Sequence, residues 1–305
     1  MKLHEEADLP VWRSLLFVPV NVRKYVEKAS GRGADALILD LEDSIAPADK
    51  EAARGMVAEA ARICGQHGAD ILVRINRPLE LAVRDLEAVI SPAIKGLLLP
   101  KVDSASHIGL LAELADTVEA RRGMTRGHTK FLAMVETAEA FPRIWEIAIA
   151  HPRNVGLSLG GEDFALSTGS SPDPDVLLYP KQQIVIAARA AGIMPMGVIG
   201  TIADYQDVEG YREIIRRSRR FGFVCSSCIH PSIVPLLNEG FSPSAEEIAS
   251  AERVIAGFER AAADNRGSIE VDGKMIDIPI VDRAQRLIDR AQRLARFAGA
   301  RPRDL

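Results

Sequence analysis

The chain has 305 residues, enough to bury a large core without disulfide or metal staples. A hydrophobic share of 47% against 26% charge excludes a disordered chain, and a formal net charge of -4 supplies no broad positive field for nucleic acid or anionic lipid. Three cysteines, an odd number, argue against a disulfide framework and for a reducing compartment.

In chain order, the first residues lack the apolar stretch of a secretory signal, and no later stretch reaches the roughly 18 to 20 apolar residues of a membrane span, so the expected location is the cytoplasm. Residues 15–18 form a short apolar run, followed by a predicted helix over 23–30 that stops at Gly31-Arg32-Gly33. A second run, 36–39, precedes an Ala-rich helix over 48–67, entered through Pro47. Runs at 71–75 and 96–99 follow, each with its helix, over 79–90 and 106–122. The fifth and sixth runs, 131–135 and 155–159, flank a helix expected over 138–150. The seventh, 193–199, follows a helix ending at Ala191-Gly192, and the eighth, 221–229, follows a helix over 208–220.

Eight strand-helix units in about 240 residues match the cadence of a (β/α)8 barrel. The rival, an open doubly wound sheet, carries a Gly-x-Gly-x-x-Gly turn that Val18-Pro19-Val20-Asn21 lacks. The chain thus reads as an α/β protein, a TIM barrel over 1–240 with a C-terminal helical lid and oligomerisation segment over 241–305. In that segment Ser244 and Glu247 form a capping box for a helix to residue 263, and 264–272 reads as a surface loop. Asp-Arg-Ala-Gln-Arg-Leu then occurs twice, seven residues apart, putting Ile280, Ala284, Leu287, Ala291, Leu294 and Ala298 on one docking stripe.

Acids stand where apolar runs stop. Asp40, Glu42 and Asp43 close the second run, Glu136 closes the fifth, and Asp163 follows the sixth. Strands of a parallel barrel end at one rim, so these carboxylates gather where such barrels place chemistry. Glu136 and Asp163, on adjacent strands, either hold a hard divalent cation, which Mg²⁺ satisfies with one or two carboxylates plus water and substrate oxygens, or cap the helices that follow. Arg74 and Lys101 close the third and fourth runs and are the expected partners of the acids; Arg74 has the fork for a substrate carboxylate, while a structural ion-pair ring is the alternative. Gly160-Gly161, just before Glu162-Asp163, either lets backbone N–H groups approach an anion or makes a plain turn. His230 reads as a structural hydrogen-bonding residue, with an acid or base as the alternative, Cys225 and Cys228 as small packing residues, and Arg212, Arg216, Arg217, Arg219 and Arg220 as a solvated helix face, with a phosphate-binding edge as the alternative.

Nine motifs occur in order along nearly the entire chain: Arg13-Ser14-Leu15-Leu16-Phe17-Val18-Pro19, Lys28-Ala29, Asp40-Leu41-Glu42-Asp43, Val73-Arg74-Ile75-Asn76, Leu99-Pro100-Lys101, Val135-Glu136-Thr137-Ala138, Gly160-Gly161-Glu162-Asp163, Ile229-His230-Pro231 and Gly273-Lys274-Met275-Ile276-Asp277. Together they resemble the HpcH/HpaI aldolase and citrate lyase β-subunit family. The resemblance implies a barrel with a C-terminal lid, assembled as a homotrimer or hexamer, and a Mg²⁺-dependent carbon-carbon lyase acting on a short 3-hydroxyacyl-CoA of the malyl-CoA or citramalyl-CoA type. It implies Glu136 and Asp163 as metal ligands, Arg74 and the Gly160-Gly161-Glu162 turn at the oxoacid, and Asp40, Glu42, Asp43 and Lys101 around them. Asp277 resembles the acid-base residue lent by a neighbouring subunit. The sequence departs from the common family pattern at Val20-Asn21, at Ser167 and at Cys225-Ser226. The competing readings are a citrate lyase β subunit acting on an acyl carrier protein within a complex, an aldolase of free 2-oxoacids, and a non-catalytic regulatory or assembly subunit.

Overall fold

The computed structural model describes residues 2–200, 206–263, 269–271 and 274–300. These divide into two compact units, one running through Phe241 and the other beginning at Ser242. No described helix is long and apolar enough to cross a membrane.

The first unit is a (β/α)8 barrel. Its strands are β1 (Ser14–Pro19), β2 (Ala36–Asp40), β3 (Asp70–Arg74), β4 (Ile94–Leu99), β5 (Lys130–Val135), β6 (Asn154–Leu159), β7 (Met194–Met196) and β8 (Ser226–Cys228). All pair in parallel in the order β7-β6-β5-β4-β3-β2-β1-β8. The ring closes through a parallel bridge between Met196 and Cys225 and the Gly197 N–H donating to the Cys225 carbonyl at 2.9 Å. Between strands run α1 (Arg23–Ala29), α2 (Lys50–Cys64), α3 (Leu79–Val89), α4 (Ala105–Arg121), α5 (Ile144–Ala148), α6 (Gly161–Thr168), α7 (Leu178–Ala191) and α8 (Val208–Phe221), with α9 (Val234–Gly240) after β8.

Strand period explains why the apolar runs are continuous yet end in acids. Successive side chains point to opposite faces. Leu37 and Leu39 of β2 belong to the apolar core with the helices, as do Val73, Leu97, Leu99, Ala133 and Val135 of the following strands. The alternate residues Ile38 and Asp40, Arg74, Leu98, Met134 and Glu136 line the barrel mouth. The last inward position of a strand is thus the first that reaches the cavity, and there the chain changes from aliphatic to charged.

Three expectations differ in extent. The helix expected over 138–150 is a turn and a 3-10 segment (Phe141–Arg143) followed by the five-residue α5. The seventh run yields a three-residue strand that stops at Gly197, φ 136°, and the eighth yields one because α8 continues to Phe221 and Gly222 turns left-handed at φ 105°. The helix α6, expected only as something Asp163 caps, already contains Asp163 in its first turn, because the chain enters it at once from Gly160.

The second unit contains α10 (Ala245–Ala263), the antiparallel pair β9 (Ile269–Val271) and β10 (Lys274–Ile276), and α11 (Ile278–Gly299). The capping box forms as expected: the Ser244 N–H donates to Glu247 Oε2 at 2.8 Å, and the Glu247 N–H to Ser244 Oγ at 3.1 Å. The loop expected over 264–272 is a strand in its described part, 269–271, and its remainder lies outside the described residues, as does Gly273 of the last motif. Helix α11 packs on α10, with Ala284 and Leu294 of the six-residue stripe buried and Ala298 exposed.

Candidate active site

A cavity of about 540 Å³ opens at the carboxyl ends of the strands, lined among others by Phe17, Asp40, Arg74, Glu136, Asp163 and Lys181. Its electrostatics begin with Arg74. Nε and Nη2 donate to the two oxygens of Asp40 at 2.6 and 2.7 Å, and Nη1 donates to Asp43 at 3.0 Å. Glu42 Oε2 lies 3.0 Å from Nη1, in ion-pair range but misaligned for a hydrogen bond. The guanidinium also lies over the Phe17 ring, 4.8 Å from its centroid. Burial opposes the Arg74 charge, but the Asp40 hydrogen bonds and the fields of Glu42 and Asp43 outweigh it, so its pKa is raised. Asp40 is doubly used: its oxygens accept the N–H groups of Glu42 at 3.0 Å and Ser44 at 3.2 Å, which folds the turn after β2 around the arginine.

Lys101 is the second cation. Its Nζ donates to Glu42 at 2.9 Å and stands 3.7 Å from Asp43 and 3.9 Å from Asp163. Burial depresses its pKa less than Glu42, Asp43 and Glu136 raise it. Glu136 is 2% exposed and receives the Lys101 backbone N–H at 2.5 Å. Burial pushes its carboxyl up to about 7; that N–H opposes the shift, while Glu42 and Asp163 add to it. Gly160 makes room for this group, since a Cβ there would lie 2.6 Å from Glu136 Cγ. The next residue, Gly161, faces Leu177 and the ammonium of Lys181 instead.

The structure therefore brings together Asp40, Glu42, Asp43, Arg74, Lys101, Glu136, Gly160, Gly161, Glu162 and Asp163 at one rim. Asp277 lies in the second unit, as N-cap residue of α11, where its side chain makes no capping hydrogen bond. His230 is a cap: its Nδ1 accepts the Ser232 N–H at 3.3 Å and sits 2.7 Å from Ser232 Oγ. Cys225 and Cys228 are buried free thiols. Ser167, one of the divergent positions, accepts the Ala138 N–H at 2.9 Å and so ties the turn after β5 to α6. The basic helix face is solvated and self-paired, as in Arg216 with Glu213 at 2.9 Å.

Sequence reasoning missed Lys181. Its signal was there: Leu177, Lys181, Ile184 and Ala188 stand at helical spacing, and all four are buried. A lysine on the apolar stripe of a helix is out of register with its neighbours.

The donor set suits a hard divalent cation. Five carboxylates, Asp40, Glu42, Asp43, Glu136 and Asp163, share the two cations Arg74 and Lys101. Among the described residues no three His, Cys, Asp or Glu side chains converge into a complete ligand cage. Two carboxylates with open positions for water and substrate oxygens are the habit of Mg²⁺.

Barrel and mouth define an α/β enzyme of the TIM-barrel class with a polar, acid-rich candidate active site at the carboxyl ends of its strands. Residues 13–231 match the HpcH/HpaI aldolase/citrate lyase family, and the chain belongs to it. It is 34% identical over 279 residues to the citrate lyase subunit beta of Leuconostoc mesenteroides subsp. cremoris, covering 90% of this chain and 92% of that one. It is 32% identical over 306 residues to the L-malyl-CoA/beta-methylmalyl-CoA lyase of Cereibacter sphaeroides, covering 93% and 95%. The crystal structure of the CitE protein of Mycobacterium tuberculosis in complex with magnesium, acetoacetate and coenzyme A superposes with a TM-score of 0.72 at 30% identity, covering 94% of this chain and 99% of that one.

Proposed function

We propose that the protein is a Mg²⁺-dependent carbon-carbon lyase that cleaves a short 3-hydroxyacyl-CoA, of the malyl-CoA or citramalyl-CoA type, to a 2-oxoacid and acetyl-CoA, or runs the reverse condensation. The observation that carries this reading is the excess of carboxylates around the buried Glu136, beside a cavity that also holds a rigidly oriented arginine. Glu136 and Asp163 would hold the ion. When bound there, Mg²⁺ supplies Lewis acidity to the adjacent oxygens of a 2-hydroxy or 2-oxo carboxylate.

The chain's own groups do the rest. Arg74, locked by Asp40, lines the cavity in a fixed orientation and would offer its remaining N–H hydrogens to the substrate carboxylate. The Gly160-Gly161 turn leaves room for Glu136 and Leu177, so the backbone sits against the carboxylate that would hold the ion. In the cleavage direction the hydroxyl gives up its proton to a base and becomes a carbonyl as the C–C bond breaks, and the electron pair of that bond passes to the α-carbon of the thioester. That carbon must gain a proton, and in the reverse direction acetyl-CoA must lose one. We assign this transfer to Asp277, contributed by a neighbouring subunit of a homotrimer or hexamer whose C-terminal segment closes over the barrel and excludes water. The three buried free thiols support a reducing, cytoplasmic setting.

The test is cleavage of malyl-CoA, citramalyl-CoA and citryl-CoA with Mg²⁺ and with EDTA, by the full chain and by Glu136→Ala, Asp163→Ala and Asp277→Ala. Metal-dependent activity lost in all three variants is expected; activity that survives EDTA or Glu136→Ala defeats the metal assignment. A second reading, a β subunit acting on citryl groups of an acyl carrier protein, is favoured by the similarity to the Leuconostoc protein. Cleavage of free CoA esters by the purified chain alone would exclude that as its sole role.

A further inference from the structure

Phe17 lies on β1, two strands away from Arg74 on β3, with β2 between them. Its neighbours Leu16 and Val18 belong to the apolar core shared with the helices, and Phe17 points the other way, into the cavity. At the same cavity β2 places Ile38, β4 Leu98, β5 Met134 and β7 Met196, all without a ring. Among the strand residues lining it, only β1 supplies an aromatic side chain, and the Arg74 guanidinium comes to rest over that ring, 4.8 Å from its centroid. Filling the space needs volume alone, which the aliphatic residues provide; a ring adds a face of negative potential.

The ring acts in a direction that the carboxylates leave open. Asp40 receives Nε and Nη2 side by side, and Asp43 receives Nη1. Such bonds run close to the guanidinium plane and pin its edges, but they leave the plane free to rock about the Asp40 pair. A ring against one face removes that freedom and keeps water from it. The Arg74 side chain is only 12% exposed, and a cation over a ring is held most strongly where it is desolvated. Thus β3 carries the arginine, β2 the carboxylate that fixes its edge, and β1 the ring that fixes its tilt.

Resting on the lyase reading above, we propose that Phe17 is a positioning residue for the reaction. It acts through Arg74, setting the tilt of the guanidinium so that its remaining N–H hydrogens meet the substrate carboxylate in the geometry that cleavage requires.

Steady-state cleavage of malyl-CoA, citramalyl-CoA and citryl-CoA by the full chain with Mg²⁺ tests this. Phe17→Leu keeps apolar volume and removes the face. It is expected to lower kcat/KM by about 10- to 30-fold with KM changing less than about 3-fold, because a rocking guanidinium still supplies charge but not orientation. Fluorinated phenylalanines at position 17, which keep the ring's shape while cancelling its negative face, should lower kcat/KM stepwise with the number of fluorines. In an Arg74→Lys background, whose ammonium has no plane to set, Phe17→Leu should cost less than about 3-fold more. Wild-type rates with pentafluorophenylalanine overturn the proposal, as does a Phe17→Leu loss of equal size in both backgrounds, the mark of a ring that merely fills space. If the wild type cleaves none of the three esters, the lyase reading and this proposal fall together; if it cleaves one and the Phe17 variants keep its rate, the proposal alone falls.

Discussion

The backbone N–H of Lys101 donates to Glu136 Oε2 at 2.5 Å, and Lys101 holds a left-handed conformation, φ 47°, found at no other described non-glycine residue. The turn spends backbone strain of roughly 1 to 2 kcal/mol to aim that N–H at a buried carboxylate, while the same residue sends its ammonium to Glu42. One residue thus fixes Glu136 and joins it to the acids after β2, so the two halves of the rim behave as one charged unit.

The steric relation of Gly160 to Glu136 leads to a sharp prediction. In Gly160→Ala the new Cβ collides with a carboxylate held between the β4 and β6 ends, so the carboxylate must move. We expect kcat/KM to fall at least about 100-fold, since small misplacements of a catalytic group carry costs of that order. Gly161→Ala meets chiefly Leu177 Cδ1 at 2.9 Å, the far end of a flexible side chain, and should cost less than about 10-fold. Steady-state kinetics of the pair decide it; equal losses would mean that Gly160 is not shaping the Glu136 site.

Arg74 and Asp40 should fail together. Arg74→Lys keeps the charge but cannot make two parallel bonds to Asp40, so substrate orientation and the turn after β2 both loosen. The expected outcome is a stability loss of about 2 to 4 kcal/mol and a fall in kcat/KM of about 100-fold or more. In a double-mutant cycle, Arg74→Lys with Asp40→Asn should lose much less than the sum of the single variants. Additive losses in urea unfolding would show that the pair is not coupled.

How much of this was legible in the sequence follows from what each residue needed. Asp40, Glu42 and Glu136 showed themselves because a charge ending an aliphatic run is conspicuous, and a parallel barrel places all such ends at one rim. The cadence of runs gave the barrel, but β7 and β8 were overdrawn: Phe221 and Phe223 look like strand residues, yet Phe221 ends α8. The start of helix α6 was misplaced because Gly160-Gly161 reads as a loop, although an N-terminus needs only a chain that can turn tightly. Lys181 was hidden in an ordinary helix and becomes notable only when the cavity is known to lie beside it. Asp277 is a lone acid before a proline-containing helix, and only the family motif distinguished it from a plain N-cap.

Far from the mouth, Glu119 supplies a pH prediction. It is fully buried, accepts the Arg153 guanidinium at 2.8 and 2.6 Å, and accepts the N–H groups of Thr129 and Gly127, each at 2.8 Å. Burial alone would raise its pKa, but these bonds outweigh it and hold the carboxyl down to about 2. A folded pKa below the unfolded one means that unfolding takes up protons in acid. The stabilisation is therefore fully present above about pH 4.5 and is lost as pH falls toward about 2. Glu119→Gln should cost about 3 to 5 kcal/mol at neutral pH by leaving Arg153 without its main counter-charge, and should flatten that acid limb. Urea denaturation from pH 3 to 7 checks both parts.

The carboxylate excess predicts how metal and stability are linked. Without an ion, the buried Glu136 feels Glu42 and Asp163, which Lys101 and its N–H oppose without outweighing burial and those two charges, so the rim is under repulsion. An ion that binds the folded protein alone stabilises it by about 2.7 kcal/mol at one hundred times its dissociation constant, enough to raise the melting temperature by several degrees. Glu136→Gln removes a charge from the repelling group and one of the two proposed ligands. That variant should melt higher than wild type in EDTA, yet show little or no gain on adding Mg²⁺, while Asp163→Asn should lose the Mg²⁺ response with a smaller change in EDTA because its side chain is 39% exposed. Differential scanning calorimetry with Mg²⁺ and with EDTA measures all four quantities. A full Mg²⁺ response in Glu136→Gln would move the ion away from this carboxylate, and a lower melting temperature of that variant in EDTA would show that Lys101 and its N–H already balance the charge.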